Sequence, residues 1–203
     1  MKTFQPTPLF CCLIGALLLA GCATPASYVD PTSSRMITSV GKIDVQDFGN
    51  AADTMVNSLI DNLINQNKLQ SGVPSEPALL AISRITNNTG SQIDTDMLVK
   101  KIRVALLRTG KIQTTTTMGL GGPEDPLAAD QQKLREFLED KKGGTRLPDY
   151  TLSGKIIEDR ARAGSIRQSA FIFQLSLSSK AGIAVWEDEK TIVKQGSTPA
   201  VGF

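Results

Sequence analysis

Glu187, Asp188 and Glu189 set three carboxylates in a row. Paired carboxylates are the equipment of glycoside hydrolysis, provided that two of them face one bond. The simpler reading is a solvated hairpin tip between "AVW" and "TIV". Asp94-Thr95-Asp96 opens like a calcium loop, but Val99 stands where that loop requires glycine. Gly110-Lys111 has the pair that ends a P-loop, yet Ala105 and Ile112 occupy the places of its earlier glycine and its hydroxyl. Gly119, Gly121 and Gly122 lead into Pro123 and towards Asp125, which suits a connector better than a phosphate cradle. Trp186 reads as a core or sheet-face anchor before it reads as a sugar platform. The 203 residues include no histidine, which excludes a histidine-based triad, histidine zinc ligation and the commonest general base. The expectation is no catalytic, cofactor-binding or metal-ligating residue, no cofactor, and no enzyme.

The remaining reactive groups are thiols. Cys11, Cys12 and Cys22 all lie in the first 22 residues. Leu9 to Ala20 is an apolar run of 12 residues, well short of the about 20 that a spanning helix needs. Lys2 before it and Leu19-Ala20-Gly21 after it give the layout of a secretion signal, residues 1–21. Leu19-Ala20-Gly21-Cys22 resembles the lipobox of bacterial lipoproteins, which implies a diacylglycerol on the Cys22 thiol, cleavage before it, and acylation of the new amine. Two or more acyl chains anchor stably where one does not. Ala23 follows, and no aspartate, which by the sorting rule of such lipoproteins implies the outer membrane.

Cleavage at that point leaves residues 22–203. Removing Lys2 from the 22 basic side chains leaves 21 against 20 acidic ones, a net charge of +1. Such a balance argues against nucleic acid as a partner. No thiol remains for a disulfide, so the fold must stand on packing. "ATPASYVDPTSSRMITSV", from Ala23 to Val40, buries too little apolar area to offset its ordering entropy. Residues 22–40 therefore read as a tether, reaching about 65 Å when extended and about 25 Å when relaxed. Residues 41–203 read as one globular domain.

What must position any site is a set of alternating helices and strands. Met55, Val56, Leu59, Ile60, Leu63 and Ile64 form one stripe of a helix, with Asp53, Asn57, Asp61 and Asn62 opposite. "ALLAISRI" reads as a buried strand ended by the turn "TNNTG". Asp94 is the expected cap of a second helix, with Ile93 and Leu98 as its staple. That helix should turn Leu98, Ile102, Ala105 and Leu106 inward and Lys100, Lys101, Arg103 and Arg108 outward, closing at Gly110. "KIQTTTTM" reads as a strand. Asp125-Pro126 starts a third helix, expected to bury Leu127, Leu134, Phe137 and Leu138 and to end at Gly143-Gly144. "DYTLSGKIIEDR", "SAFIFQLSLSS" and "IAVWEDEKTIVKQG" read as strands; Phe171, Phe173, Leu175 and Leu177 alternate with polar neighbours. The expected class is α/β (α+β), a mixed or mainly antiparallel sheet of about four to five strands flanked by helices.

"ALLAISRITNNTGSQIDTDMLVKKIRVALLRTGKIQTTTT" is similar to the central segment of the LpoB (YcfM) family of outer-membrane lipoproteins. "DFGNAADTMVNSLI" and "PDYTLSGKI…FQLSLSSKAGIAVWEDEKTIVKQG" extend the resemblance from about Asp47 to Gly196. It implies a fold like the N-terminal domain of TolB. It also implies a partner, a class A penicillin-binding protein that synthesises peptidoglycan and is activated from the outer membrane. No short motif marks the partner-binding residues, which stay unknown. The alternatives are a structural envelope lipoprotein or a component of an outer-membrane secretion assembly. The latter wants long amphipathic hairpins, and "FIFQLSLSS" is a brief candidate.

Overall fold

The computed structural model describes residues 26–31, 33–117, 123–138 and 146–197. Cys22 and the signal segment 1–21, the glycine cluster at 119–122 and Gly143-Gly144 lie outside the described residues. Everything below belongs to the compact unit that begins at Ile37.

Helix α1 spans Val45–Leu59 and continues into one π turn, Ile60–Ile64. The expected stripe is present: Met55, Val56, Leu59, Leu63 and Ile64 are buried, and Ile60 packs half-buried beside them. The helix starts earlier than the stripe because Asp44 closes a capping box with Asp47, whose carboxylate accepts the Asp44 N–H at 2.7 Å. Phe48, Ala51 and Ala52 thereby join the buried face.

Strand β1, Ala78–Asn88, outruns its expected end and takes in Thr86, Asn87 and Asn88. Helix α2 spans Asp96–Arg108, and the Asp94 carboxylate accepts the Asp96 N–H at 2.9 Å. Gly110 closes α2 in the left-handed conformation, with φ +66°. Arg103 corrects the expectation of an outward cation. It is buried, and the Glu124 carboxylate forms an ion pair with it. Burial lowers the proton affinity of this guanidinium, and Glu124 supplies the counter-charge that the site requires.

Strand β2 is three residues, Ile112–Thr114, and not the whole of "KIQTTTTM". The Thr115 hydroxyl accepts the Thr117 N–H at 3.2 Å, so local side-chain bonding bends the chain out of the ladder. Helix α3, Pro126–Leu138, begins where Asp125 accepts the Ala128 N–H at 3.0 Å. Its burial is the largest departure from expectation. Leu127, Leu134, Phe137 and Leu138 are 68%, 58%, 84% and 70% exposed, and Ala129 alone among the described residues of the helix is buried. Helices α1 and α2 supply the helical side chains of the core, and the amphipathic pattern on α3 stays outside it. Glu124 holds this segment to α2, through Arg103 and through Lys100 at 3.1 Å.

Strands β3 (Tyr150–Ala163), β4 (Ile166–Ser179) and β5 (Ala184–Ser197) are 14 residues each. The sheet order is β2-β1-β3-β4-β5; β1 runs parallel to both neighbours, and the β3/β4 and β4/β5 pairs are antiparallel. This is an α+β fold on a mixed sheet. Phe171, Phe173, Leu175 and Leu177 face the helices and are all buried, with Phe48 edge-on to Phe173 at 6.0 Å. "FIFQLSLSS" is therefore not brief, but its apolar side meets α1 in the core.

Two polar locks fix the ends of this sheet. At one end Asp149 is 8% exposed and accepts the N–H groups of Gly72 at 2.8 Å and Leu79 at 2.9 Å. Arg146 donates to it at 2.9 Å and also to Glu76, Ser71 and the Pro77 carbonyl. At the other end Lys194 is held by Asp44 at 2.7 Å, by Asp47, and by the carbonyls of Ser39 and Lys42. Ser39 is thus in contact with the sheet.

Between these ends Gly154 sits where β3 and β4 come closest. A Cβ there would lie 2.6 Å from the Gln174 carbonyl oxygen and 2.7 Å from Leu175 Cδ2. Gly154→Ala is expected to lower stability by about 1–3 kcal/mol through this overpacking, read from thermal unfolding. An unchanged midpoint would show that the two strands part without penalty.

Candidate interaction surface

One side of the sheet carries α1 and α2; among the described residues the other is bare. Alternation along a strand sends successive side chains to opposite faces. The register then brings residues far apart in sequence into rows on the bare side. Thr86, Lys155, Gln174 and Glu189 make one row across β1, β3, β4 and β5, and Ser153, Ser176 and Glu187 make the next. Arg84 and Ser83 fill the β1 end, at the irregularity between Ile82 and Ile85. Together these line a cleft of about 950 Å³.

Glu187, Asp188 and Glu189 lie inside β5 and not at a hairpin tip, which corrects the sequence reading. The turn forms instead around Gly182, whose φ is +77°. An edge strand tolerates a charge run because both of its faces reach water. Glu187 and Glu189 point to the bare side, while Asp188 pairs across from Leu175 on the other. The Ser176 hydroxyl donates to Glu187 at 2.8 Å and the Gln174 amide donates to Glu189 at 2.6 Å. Each carboxylate accepts a hydrogen bond from β4, and the two are set side by side along one strand, not across a bond. Lys155 and Arg84 stand on the opposite bank, both exposed. The face is polar, concave and divided by sign: acidic along β5, basic along β1 and β3. Such an arrangement can orient a charged partner surface.

Trp186 is half-buried against the core, as expected of an anchor. Among the described residues no group of histidine, cysteine, aspartate or glutamate is arranged to hold a metal ion. Nor is any helix among them long and apolar enough to cross a membrane. The sequence reading missed Ser83, Arg84, Ser153, Lys155, Gln174 and Ser176 as members of one surface. The signal was present only as polar residues at every second place on four strands.

A family model described as "Peptidoglycan-synthase activator LpoB" matches residues 47–192. Among solved structures, the C-terminal domain of LpoB from Escherichia coli is 15% identical, with a TM-score of 0.42, covering 72% of this chain and 98% of that one. The corresponding domain from Salmonella enterica is 14% identical, with a TM-score of 0.41 and the same coverages. Lipoprotein GNA1162 from Neisseria meningitidis is 14% identical, with a TM-score of 0.33, covering 61% of this chain and 88% of that one. No curated protein matches the chain by sequence.

Proposed function

This chain belongs to the LpoB family of peptidoglycan-synthase activators, and from that premise we propose that it binds and activates a class A penicillin-binding protein through the bare face of its sheet. The family is one of regulators and not of enzymes, in keeping with a sequence that contains no histidine. The observation that carries the proposal is the cleft itself, walled by Glu187 and Glu189 on one side and Lys155 and Arg84 on the other. A surface of this kind acts by differential affinity. It shifts the synthase towards its active conformation only as far as it binds that conformation more tightly, about 1.4 kcal/mol for each tenfold change.

The proposal also places the protein in the envelope. Cys22 carries the lipid, residues 22–40 are the tether, and the domain faces the periplasm from the outer membrane. Signal peptide, acylation and outer-membrane address all follow from the lipobox-like Leu19-Ala20-Gly21-Cys22.

Charge reversal tests the face. Glu187→Lys with Glu189→Lys should weaken stimulation of the synthase about tenfold or more, since like charges now meet across the contact. Both positions are exposed, so the fold should survive. A reversed chain that stimulates as well as the original would remove this face from the mechanism. Recovery of no penicillin-binding protein from crosslinked cells would leave a structural envelope lipoprotein.

A further inference from the structure

Arg162 and Arg167 are direct cross-strand partners at the end of the β3–β4 hairpin. Both are exposed, and like charges set opposite each other destabilise a hairpin. Arg160, on the same strand face, is already committed: it grips Glu158 at 2.6 and 2.8 Å. Arg162 donates to the Gly164 carbonyl at 3.1 Å. Neither Arg162 nor Arg167 has a carboxylate within salt-bridge reach among the described residues. Asp159 is the other acidic group nearby, and alternation sends it to the opposite face of β3. Between the two arginines, at the turn, stands Ile166, 45% exposed.

The chain enters the folded unit at this same end. Val40 packs against Gly196, where a Cβ would lie 2.6 Å from Val40 Cγ2. The Ser91 hydroxyl donates to the Gly41 carbonyl at 3.1 Å. Ser197 pairs with Ile166 across the sheet. The chain therefore enters the folded unit beside the hairpin tip.

We propose that the β3–β4 tip docks on the anionic phospholipid headgroups of the membrane that holds the lipid anchor. Arg162 and Arg167 engage headgroup phosphates, for which a guanidinium has matched donors, and Ile166 enters the acyl boundary. The phosphates relieve the repulsion that the hairpin carries when free. The inference rests on the reading of Cys22 as the lipid-bearing residue. It adds an orientation: strands of 14 residues rise about 46 Å from tip to base, so the turn around Gly182 stands away from the bilayer.

The test uses residues 22–203 with Cys22→Ser, which cannot be acylated. This chain should sediment with vesicles of phosphatidylglycerol and phosphatidylethanolamine and not with phosphatidylcholine alone. Arg162→Gln with Arg167→Gln should weaken that binding about 25-fold, at roughly fivefold for each cation near an anionic surface. The unfolding midpoint should stay equal or rise, because the like-charge pair is gone. A second readout places an environment-sensitive fluorophore on Ile166→Cys or on Ile183→Cys at the far end. Only the first should shift to the blue on anionic vesicles. Equal shifts at both positions, a shift at neither, or equal binding to neutral vesicles would overturn the proposal. So would retention on peptidoglycan sacculi without vesicle binding. Neither readout depends on acylation. A native chain found without lipid on Cys22 would therefore remove the anchor reading and leave the docking result as measured.

Discussion

A chain carrying Asp149→Ala is expected to lose about 1–3 kcal/mol of folding free energy, the cost of leaving part-buried hydrogen-bonding groups without their partner. Truncation leaves the N–H groups of exposed Gly72 and half-buried Leu79 without their acceptor and takes the Asp149 counter-charge from Arg146 in the same step. Asp149→Asn keeps one acceptor oxygen and should lose less. The pH dependence follows from the same contacts. Burial opposes the Asp149 charge, but the Leu79 and Gly72 amides and the Arg146 guanidinium outweigh it and hold the carboxyl below its ordinary value. A carboxyl depressed in the folded state contributes stability that is full above the unfolded value of about 3.9. That contribution fades as pH falls through the lower folded value. The native chain should thus weaken on acidification below about pH 4, and Asp149→Asn should weaken less over that interval. Equal acid slopes, measured by denaturant unfolding, would take Asp149 out of the account.

Deleting residues 24–38 should reduce activation of the synthase in cells to background while purified proteins still stimulate normally. The deletion stops short of Ser39, whose N–H donates to Asp44 at 3.0 Å and whose carbonyl accepts from Lys194. The entrance to the domain therefore stays closed, and folding should be kept. What is lost is reach: the intact tether extends at most about 65 Å. A linked partner acts at high effective concentration only when its link spans the gap, and the benefit vanishes when it cannot. Activation in cells by the shortened chain at the native level would exclude bridging. A loss that also appeared with purified proteins would assign residues 24–38 to the contact itself.

The sequence revealed what repeats. Met55 to Ile64 on α1 and Phe171 to Leu177 on β4 follow the periods of their elements and bury as their patterns require. Capping by Asp125 was legible because a carboxylate beside the first free N–H groups has one local use; for α2 the cap falls one residue later than expected, at Thr95, and Asp94 accepts the Asp96 N–H from just outside the helix. Patterns stay silent about what lies across from them, and here the reading failed. The apolar stripe of α3 reads as a buried one, yet among the described residues its large side chains are exposed. Arg103 sits on a helix amid outward cations, and Glu124, in the following loop, is what lets it turn in. The run Glu187-Asp188-Glu189 has the composition of a turn and the position of an edge strand. The bare face was the least legible feature of all. It exists only after Thr86, Lys155, Gln174 and Glu189 are brought into register.

The placement of β5 at the margin of the sheet governs how copies of this chain can meet. Among the described residues its outer edge pairs with no strand, and its 14 residues offer backbone groups to any neighbour. Two such edges meeting antiparallel about Asp188 would set Asp188 against its twin and Glu187 against Glu189. A meeting centred on Ile192 would set Lys190 against Lys194. Like charges directly opposed across a strand pair repel, so each of these stackings is refused by the side chains that would have to face each other. Copies of this chain should therefore be kept from meeting edge to edge in these two registers.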